Sequence, residues 1–340
     1  MYERYSMRHK HRVSMVDIAK ASGVSAATVS RVLSNQDNVS DEVKELVLSS
    51  VERLGYVRNL GAATLAASKS NTVGLLVRDM SNQFYGAVAS KVQEKTDKAG
   101  YDLLMATGGD SEGSQMRAAR NLLGHGIGGM IIVSGRISPD VMSYVARFVP
   151  IVVLAAGIDI PSVSSVRIDP KCESDLASRV VDMGHKCVAV TASSDPLAST
   201  LHSRTSIFLT ELIIRGVKTV IMPIEDNDLC SIQKQVDLAL SEHVTAIMAG
   251  SDTIALSILE CLHSKGISCP KDVSVTGFDG VGCLATSLLG LTTVKQPVDL
   301  LAKNAVDVME KYFNDKQTGI SRIIVKGDFI HGSTLSDLNK

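Results

Sequence analysis

A chain of 340 residues, 45% hydrophobic and 21% charged, has material for more than one buried core and needs no disulfide staples. The net charge of −1 names no partner, but its distribution is uneven: residues 1–70 hold ten Lys/Arg against seven Asp/Glu, the remainder 25 against 29. Nowhere do 18 uncharged apolar residues run together, and "MYERYSMRHKHRV" carries no apolar segment, so the expected place is the cytoplasm, with no membrane partner.

Arg4, Arg8, Lys10 and Arg12, with His9 and His11, form a basic arm, read either as a reach toward phosphates or as a solvated tail. In "SMVDIAKASGVSAATVSRVLSN", Ser14 opens a helix and Asp17 completes an approximate capping box. Gly23 stops that helix, and Ser25 caps a second one running to about Leu33. Ile18, Ala19, Val24 and Val29 supply the apolar face. A third helix runs from a Ser40 cap to Gly55, with Asp41 and Glu42 in its first turn and Val43, Leu46, Val47, Val51 and Leu54 on one face. Such a trio forms a core only by packing together and leaves its second helix outward, as in a helix-turn-helix. On that helix Arg31 is long enough for a bidentate contact to guanine. Ala26 and Ala27 suit thymine methyls or close backbone approach, and Ser25, Thr28 and Ser30 suit phosphates. A helical bundle with an incidental surface arginine has the same pattern.

"YVRNLGAATLAASKSN" offers Asn59 as an N-cap, then about two turns of small residues ending at Ser68, too short to be a stable helix alone in water. It is expected to fold only when docked, with Leu65 as a wedge for the minor groove, or else to be an alanine-rich linker. Helix-turn-helix, "RLGYVRN" and short helix together closely resemble the lactose-repressor/galactose-repressor (LacI/GalR) family of bacterial transcription regulators. The resemblance implies that Ala26, Ala27 and Arg31 read the major groove and that Leu65, with the small Ala62 and with Asn59, belongs to a hinge that opens the centre of an operator. Leu60 and Gly61 depart from the family, where a bulkier or more helix-prone residue is usual, which implies a weaker hinge.

From about Thr72 short β-branched strands alternate with helices. "TVGLLVR", "YDLLMAT", "GMIIVSG" and "IVVLAAG" read as strands, with helices over 84–99, 112–124 and 138–147. "CVAVTAS", "TVIMPI", "AIMAG" and "VSVTGFD" repeat the pattern. Two doubly wound parallel sheets are implied, with ligands beyond the carboxyl ends of strands. The loops there hold Asp79, Phe84, Tyr85, Arg204, Ser251, Asp252 and Asp279. Each has a plain reading as a helix cap or core residue. Together they suit a sugar or nucleoside: Arg204 as a fork for a hydroxyl pair or carboxylate, Asp279 accepting two vicinal hydroxyls, Phe84 or Tyr85 against a ring face.

The same resemblance extends through "RID" at Asp169, "MGHK", "GSD", "GFD", "LTTVKQP" and "HGST". It implies a two-lobed α/β domain like periplasmic sugar-binding proteins, with Arg204, Ser251, Asp279 and Gln296 facing the effector from the far lobe and Asp79, Phe84 and Tyr85 from the near one. The expected organisation is a DNA-binding domain over 1–58, a hinge over 59–70 and an effector domain over 71–340. Its near lobe comprises 71–169 and 298–325, its far lobe 170–296 and 326–340. Departures at Gln83, Gly128, Gly280, Gly290 and His331 imply an uncommon effector, or a cleft that serves only as scaffold.

Rival readings are an enzyme, a solute receptor and an architectural DNA binder. "GHGIGG" at 124–129 precedes a strand instead of following one, and there is no Walker A loop, HExxH or GxSxG, so catalysis and a nucleotide cofactor are not expected. The six cysteines form no CxxC or CxH cluster, so no metal is expected, and they read as thiols buried in apolar surroundings. The expected protein is a homodimeric repressor whose grip on a pseudo-palindromic operator is adjusted by a small sugar-like effector.

Overall fold

The computed structural model describes residues 13–33, 39–57, 70–133, 135–155, 161, 163–225, 229–316 and 319–340. The chain divides into two compact units, Met1–Ser68 and Lys69–Lys340. The basic arm and the hinge residues Asn59, Ala62 and Leu65 lie outside the described residues.

The first unit holds α1 (Met15–Ser22), α2 (Ala26–Leu33) and α3 (Asp41–Leu54). At the start of α1 the Ser14 hydroxyl accepts from the Asp17 amide and the Asp17 carboxylate accepts from the Ser14 amide, a reciprocal box. The α2 start is capped by Ser25, whose Oγ accepts from Thr28 N–H at 3.1 Å. Ile18, Val29 and Val47 are fully buried and join the three helices. Two expectations need correction. Ser40 precedes α3 but makes no side-chain capping bond. Leu46 and Leu54 are exposed, because α3 has 14 residues against eight in each partner and they fall beside or beyond the contact. Val47 and the buried Ser50 form the line that packs.

The second unit is built on two parallel sheets. Its first part contains β1 (Thr72–Val77), α4 (Gln83–Ala99), β2 (Asp102–Thr107), α5 (Glu112–Gly124), β3 (Gly129–Val133), α6 (Pro139–Ala146), β4 (Ile151–Leu154) and β5 (Ser164–Ile168). There follow α7 (Lys171–Asp182), β6 (Cys187–Ser193), α8 (Ser199–Ile214), β7 (Lys218–Ile224), α9 (Leu229–Ser241), β8 (Ala246–Met248), α10 (Asp252–Ser264) and β9 (Ser274–Thr276). A 3₁₀ turn at Gly282–Ala285 leads to β10 (Thr293–Lys295), α11 (Val298–Phe313), β11 (Arg322–Val325) and β12 (Asp328–Ile330).

The near sheet runs β11-β5-β4-β3-β1-β2, and the far sheet β7-β6-β8-β9. Their central strands are apolar along their length because helices cover both faces. In β1, Val73, Leu75 and Val77 meet α4 and α11 through Val88, Leu301 and Ala305, while Leu76 meets α5 and α6 on the opposite face. In the far lobe, α7 and α8 cover one face through Leu176 and Phe208, and α9 and α10 the other through Val236 and Ile258.

The chain passes between lobes after β5, after β10 and after β11, and β10 pairs antiparallel with β12. Buried His185 fastens the C-terminal segment, with Nδ1 2.9 Å from Thr245 Oγ1 and Nε2 3.2 Å from the Ser336 carbonyl.

The cysteines also need correction: Cys172 and Cys261 are buried, but Cys230 and Cys283 are exposed. On the helix that carries Cys230 the buried line is Ile232, Val236 and Ala239, and in the 3₁₀ turn that carries Cys283 it is Leu284 that is buried. Among the described residues no helix is long and apolar enough to cross a membrane, and no group of three His, Cys, Asp or Glu gathers to hold a metal.

Candidate functional site

In the first unit, the burial of Val29 and Val32 turns the other side of α2 outward. Ala26, Ala27, Ser30 and Arg31 are all exposed there. The arrangement offers one long cation among small residues, which lets the helix backbone approach a partner closely. Ser25 and Thr28 are partly committed, their hydroxyls 2.9 Å apart in the helix cap.

In the second unit a cleft of about 700 Å³, counting the space open to solvent, lies between the two sheets at the carboxyl ends of their strands. Phe84, Tyr85, Arg204, Ser251, Asp279 and Gln296 line it, six of the seven positions expected from sequence. Asp79 is not among its walls. Its carboxylate turns to Ser81, accepting from the amide at 2.8 Å and the hydroxyl at 2.7 Å, which holds it below the usual carboxylate range.

Arg204 comes from the first turns of α8 and is 3% exposed. Its guanidinium lies 3.6 Å from the centroid of the Phe278 ring, donates to the Gly250 carbonyl and sits 3.7 Å from Glu173. Asp279 follows β9 and Gln296 follows β10. The backbone bridge between them, with Asp279 N–H to Val294 O at 3.0 Å and Gln296 N–H to Asp279 O at 2.9 Å, brings both side chains to one wall. Gln296 Nε2 donates to Asp279 Oδ1 at 2.7 Å, leaving Gln296 Oε1 as a buried acceptor with no partner.

Burial and the neighbouring Asp252 push the Asp279 carboxyl up to about 7, against the pull of Arg204. Burial raises Glu173 and Asp252 as well. Gly280, at φ +60, could not bear a side chain, since a Cβ would strike the Lys295 backbone. Its amide donates instead to Asp252 at 2.7 Å. Ser251 caps α10 through Ile254 N–H at 3.3 Å and lines the cavity as well.

Sequence reasoning missed Arg78 and Arg136. Both directly follow or closely follow strand ends, the position where ligand contacts gather in such folds. Arg78 holds Asp110 through Nε at 2.6 Å, and Arg136 reaches across the cleft to Asp195 at 3.2 Å.

Further bonds join the lobes. Ser199 Oγ donates to Gly135 O at 2.6 Å, Thr200 Oγ1 to Ala155 O at 2.8 Å, and Gln83 Nε2 to Cys283 Sγ at 3.0 Å, with Cys283 N–H returning to Gln83 Oε1. Gly135 is the tightest of these approaches, because a Cβ there would overlap Thr200 Oγ1 and lie 2.9 Å from the Thr200 amide nitrogen. Gly135→Ala is therefore expected to hold the lobes apart without unfolding either sheet. The check is a larger radius of gyration by small-angle scattering with an unchanged circular-dichroism spectrum.

Comparison with known proteins agrees with both parts. Residues 14–59 match the model for bacterial regulatory proteins, lacI family, and residues 177–335 that for a periplasmic binding protein-like domain. Catabolite control protein A of Priestia megaterium is 28% identical over 329 residues, 92% of this chain and 96% of that protein. Among solved structures, a lac repressor dimer bound to operator and the anti-inducer ONPF superposes with a TM-score of 0.81 at 22% identity, covering 96% of this chain and all of that one. A CelR–cellobiose complex gives 0.68 at 23% identity, over 95% and 100% of the two chains. Fold and site together define a DNA-binding transcription regulator, not an enzyme, with a sensor domain shaped like a periplasmic binding protein. The chain carries a DNA-binding domain of the lacI family followed by a periplasmic binding protein-like domain.

Proposed function

We propose that this regulator is a cytoplasmic repressor that binds a pseudo-palindromic operator as a homodimer and changes its affinity when a sugar-sized effector enters the interlobe cleft. The observation that carries this reading is the cleft wall. A buried arginine, a buried carboxyl and an unpartnered amide oxygen converge there beside Phe84 and Tyr85, the mixture of donors, acceptors and ring faces that a polyol needs. The operator in the lac repressor structure and the cellobiose in the CelR complex support the two halves by analogy. In this reading residues 1–58 bind DNA, 59–70 form the hinge, and 71–340 form the effector domain. Its near lobe is 71–169 with 298–325, and its far lobe is 170–296 with 326–340.

On DNA, Ala26, Ala27 and Arg31 face base edges, Ser25, Thr28 and Ser30 face phosphates, and Asn59, Ala62 and Leu65 serve the hinge. An effector bridging the lobes competes with, or adds to, the Ser199–Gly135 and Arg136–Asp195 contacts. It thereby biases the lobe angle, and operator and effector affinities change reciprocally.

Titration of pseudo-palindromic DNA with and without candidate sugars tests the reading. If no sugar, sugar phosphate or nucleoside alters operator affinity, the chain is a DNA binder without a small-molecule effector. Arg31→Ala is expected to cost about 1–3 kcal/mol of discrimination at one guanine per half-site while leaving discrimination at the other positions in place, read from binding to single-base operator variants.

A further inference from the structure

We propose that the interlobe site has a second compartment, where Glu173, Arg204 and Gln296 receive a short neutral arm of the effector that ends in a hydroxyl. This rests on the reading of the cleft as an effector site. The compartment spans about 360 Å³, counting the space open to solvent, and shares Ala155, Thr200, Arg204 and Gln296 with the larger cleft as a common wall. A ring held in the cleft is therefore adjacent to a space that suits a substituent. Four buried side-chain polar atoms among the described residues have no hydrogen-bond partner, and three of them lie on residues that line this compartment: Glu173 Oε2, Arg204 Nε and Gln296 Oε1. Their residues are 6%, 3% and 3% exposed. Leaving even one such atom unpaired is costly, so three on one wall point to a partner from outside the chain.

The three atoms decide the chemistry of that partner. Arg204 Nε lies 3.7 Å from Glu173 Oε1, close enough for charge attraction and too far for a hydrogen bond, so its N–H still calls for an acceptor. Gln296 Oε1 calls for a donor. An ionised carboxylate offers acceptors only and leaves the amide oxygen unmet. An ammonium offers donors only and brings a second cation to the guanidinium. A hydroxyl accepts and donates through one oxygen, in the least space. It also suits Glu173 in either form. Burial pushes that carboxyl up against the pull of Arg204, and a hydroxyl can donate to the carboxylate or accept from the acid.

The same geometry couples the arm to lobe position. Ile168 ends β5 on the near side of the compartment, and Ser203 and Ile207 stand on α8 on the far side. The common wall includes the interlobe bond from Thr200 Oγ1 to Ala155 O at 2.8 Å, so the passage between the two spaces changes width with the lobe angle. An arm seated there touches both lobes and favours the angle at which it fits.

The test is a thermal-shift and calorimetric series on the full-length protein. The probes are aldohexoses with their 6-deoxy and 6-phosphate counterparts, and nucleosides with their 5′-deoxy counterparts, so that each deoxy pair differs by one exocyclic hydroxyl. The expected result is that at least one hydroxylated probe raises the melting temperature and binds about tenfold or more tightly than its deoxy counterpart. Glu173→Leu and Ile207→Phe should each bring that ratio toward one, the first by removing the polar partner and the second by filling the space. Glu173→Gln, which keeps a polar head, should keep most of it. If Glu173 only steadies Arg204, Glu173→Leu lowers both affinities together; an unchanged ratio in both folded variants overturns the proposal. Equal binding of a probe and its deoxy counterpart by the wild type overturns it as well, as expected of a compartment that takes up water alone. Tighter binding of a 6-phosphate than of its hexose also overturns it, because the arm is then an anion. Each of these leaves the cleft a sensor. If no probe binds, the sensor reading fails and the proposal with it.

Discussion

Arg204→Met is expected to lower effector affinity by at least about 100-fold and to destabilise the effector domain by about 3 kcal/mol near pH 8. Methionine fills much of the same volume over Phe278, so packing is largely kept. What goes is the cation. The Gly250 carbonyl loses its donor, and Glu173 and Asp279 lose the cation that favours their ionised forms. Burial already pushes both carboxyls toward protonation, and without Arg204 they hold their protons to still higher pH. The variant's loss should therefore be smaller at pH 6 than at pH 8, since a neutral carboxyl needs no counterion. Adding Glu173→Gln should recover part of the loss at pH 8. Urea unfolding of the two single variants and the double variant at both pH values gives the coupling directly. An Arg204→Met protein as stable at pH 8 as the wild type would show that Glu173 never carries charge.

Much of this architecture can be read from local chemistry, and the misreadings have definite causes. The Ser14–Asp17 box and the Ser25 cap are local devices, fully specified within a few residues, and they lie where the pattern puts them. The apolar runs of β1, β3 and β4 are buried on both faces and announce themselves. By contrast "SSVRI" opens on two serines and carries an arginine, yet forms β5 because β4 and β11 offer hydrogen-bonding edges on either side. β10 and β12, three residues each, pair with each other across a long stretch of chain, and β10 is further held by the backbone bond from Asp279 to Val294.

The site divides the same way. Arg204 and Asp279 are found by their place after strands or in the helix that follows, and Gln296 only through the family resemblance. The choice between Arg78 and Asp79 is different, since adjacent side chains leave a strand on opposite sides and only the tertiary packing decides which enters the cleft. Arg78 enters it and Asp79 turns to Ser81. Arg136, turned inward, meets Asp195, 59 residues away in the other lobe.

A single carboxyl at the centre of that cleft should make stability and ligand affinity depend on pH with opposite signs. Folding raises Asp279 from an ordinary carboxylate value of 3.8 to about 7. Between these values the folded chain holds a proton that the unfolded chain has released. The stabilisation is complete below pH 3.8 and is lost as the pH rises through about 7, at up to about 1.4 kcal/mol per pH unit. Glu173 and Asp252 act in the same direction. Buried His185, whose burial lowers it from 6.5, acts in the opposite one, removing stability as the pH falls below 6.5.

The difference between wild type and Asp279→Asn isolates the carboxyl from these others. Asparagine is neutral, keeps the oxygen that accepts from Gln296, and tolerates the φ of +139 at this position better than most residues. The variant should match or exceed wild-type stability at pH 8 and lose that advantage toward pH 5.5. Effector binding should run the other way. The ionised carboxylate accepts from hydroxyls with both oxygens and more strongly than the neutral acid, so wild-type affinity should increase as the pH passes 7, measured by calorimetry. In Asp279→Asn the affinity should be lower, and this carboxylate's part of the rise should be gone. Opposed trends in the wild type, both reduced by one isosteric change, separate a ligand-facing carboxyl from one that is merely buried, which would alter the stability curve and leave the affinity curve unchanged.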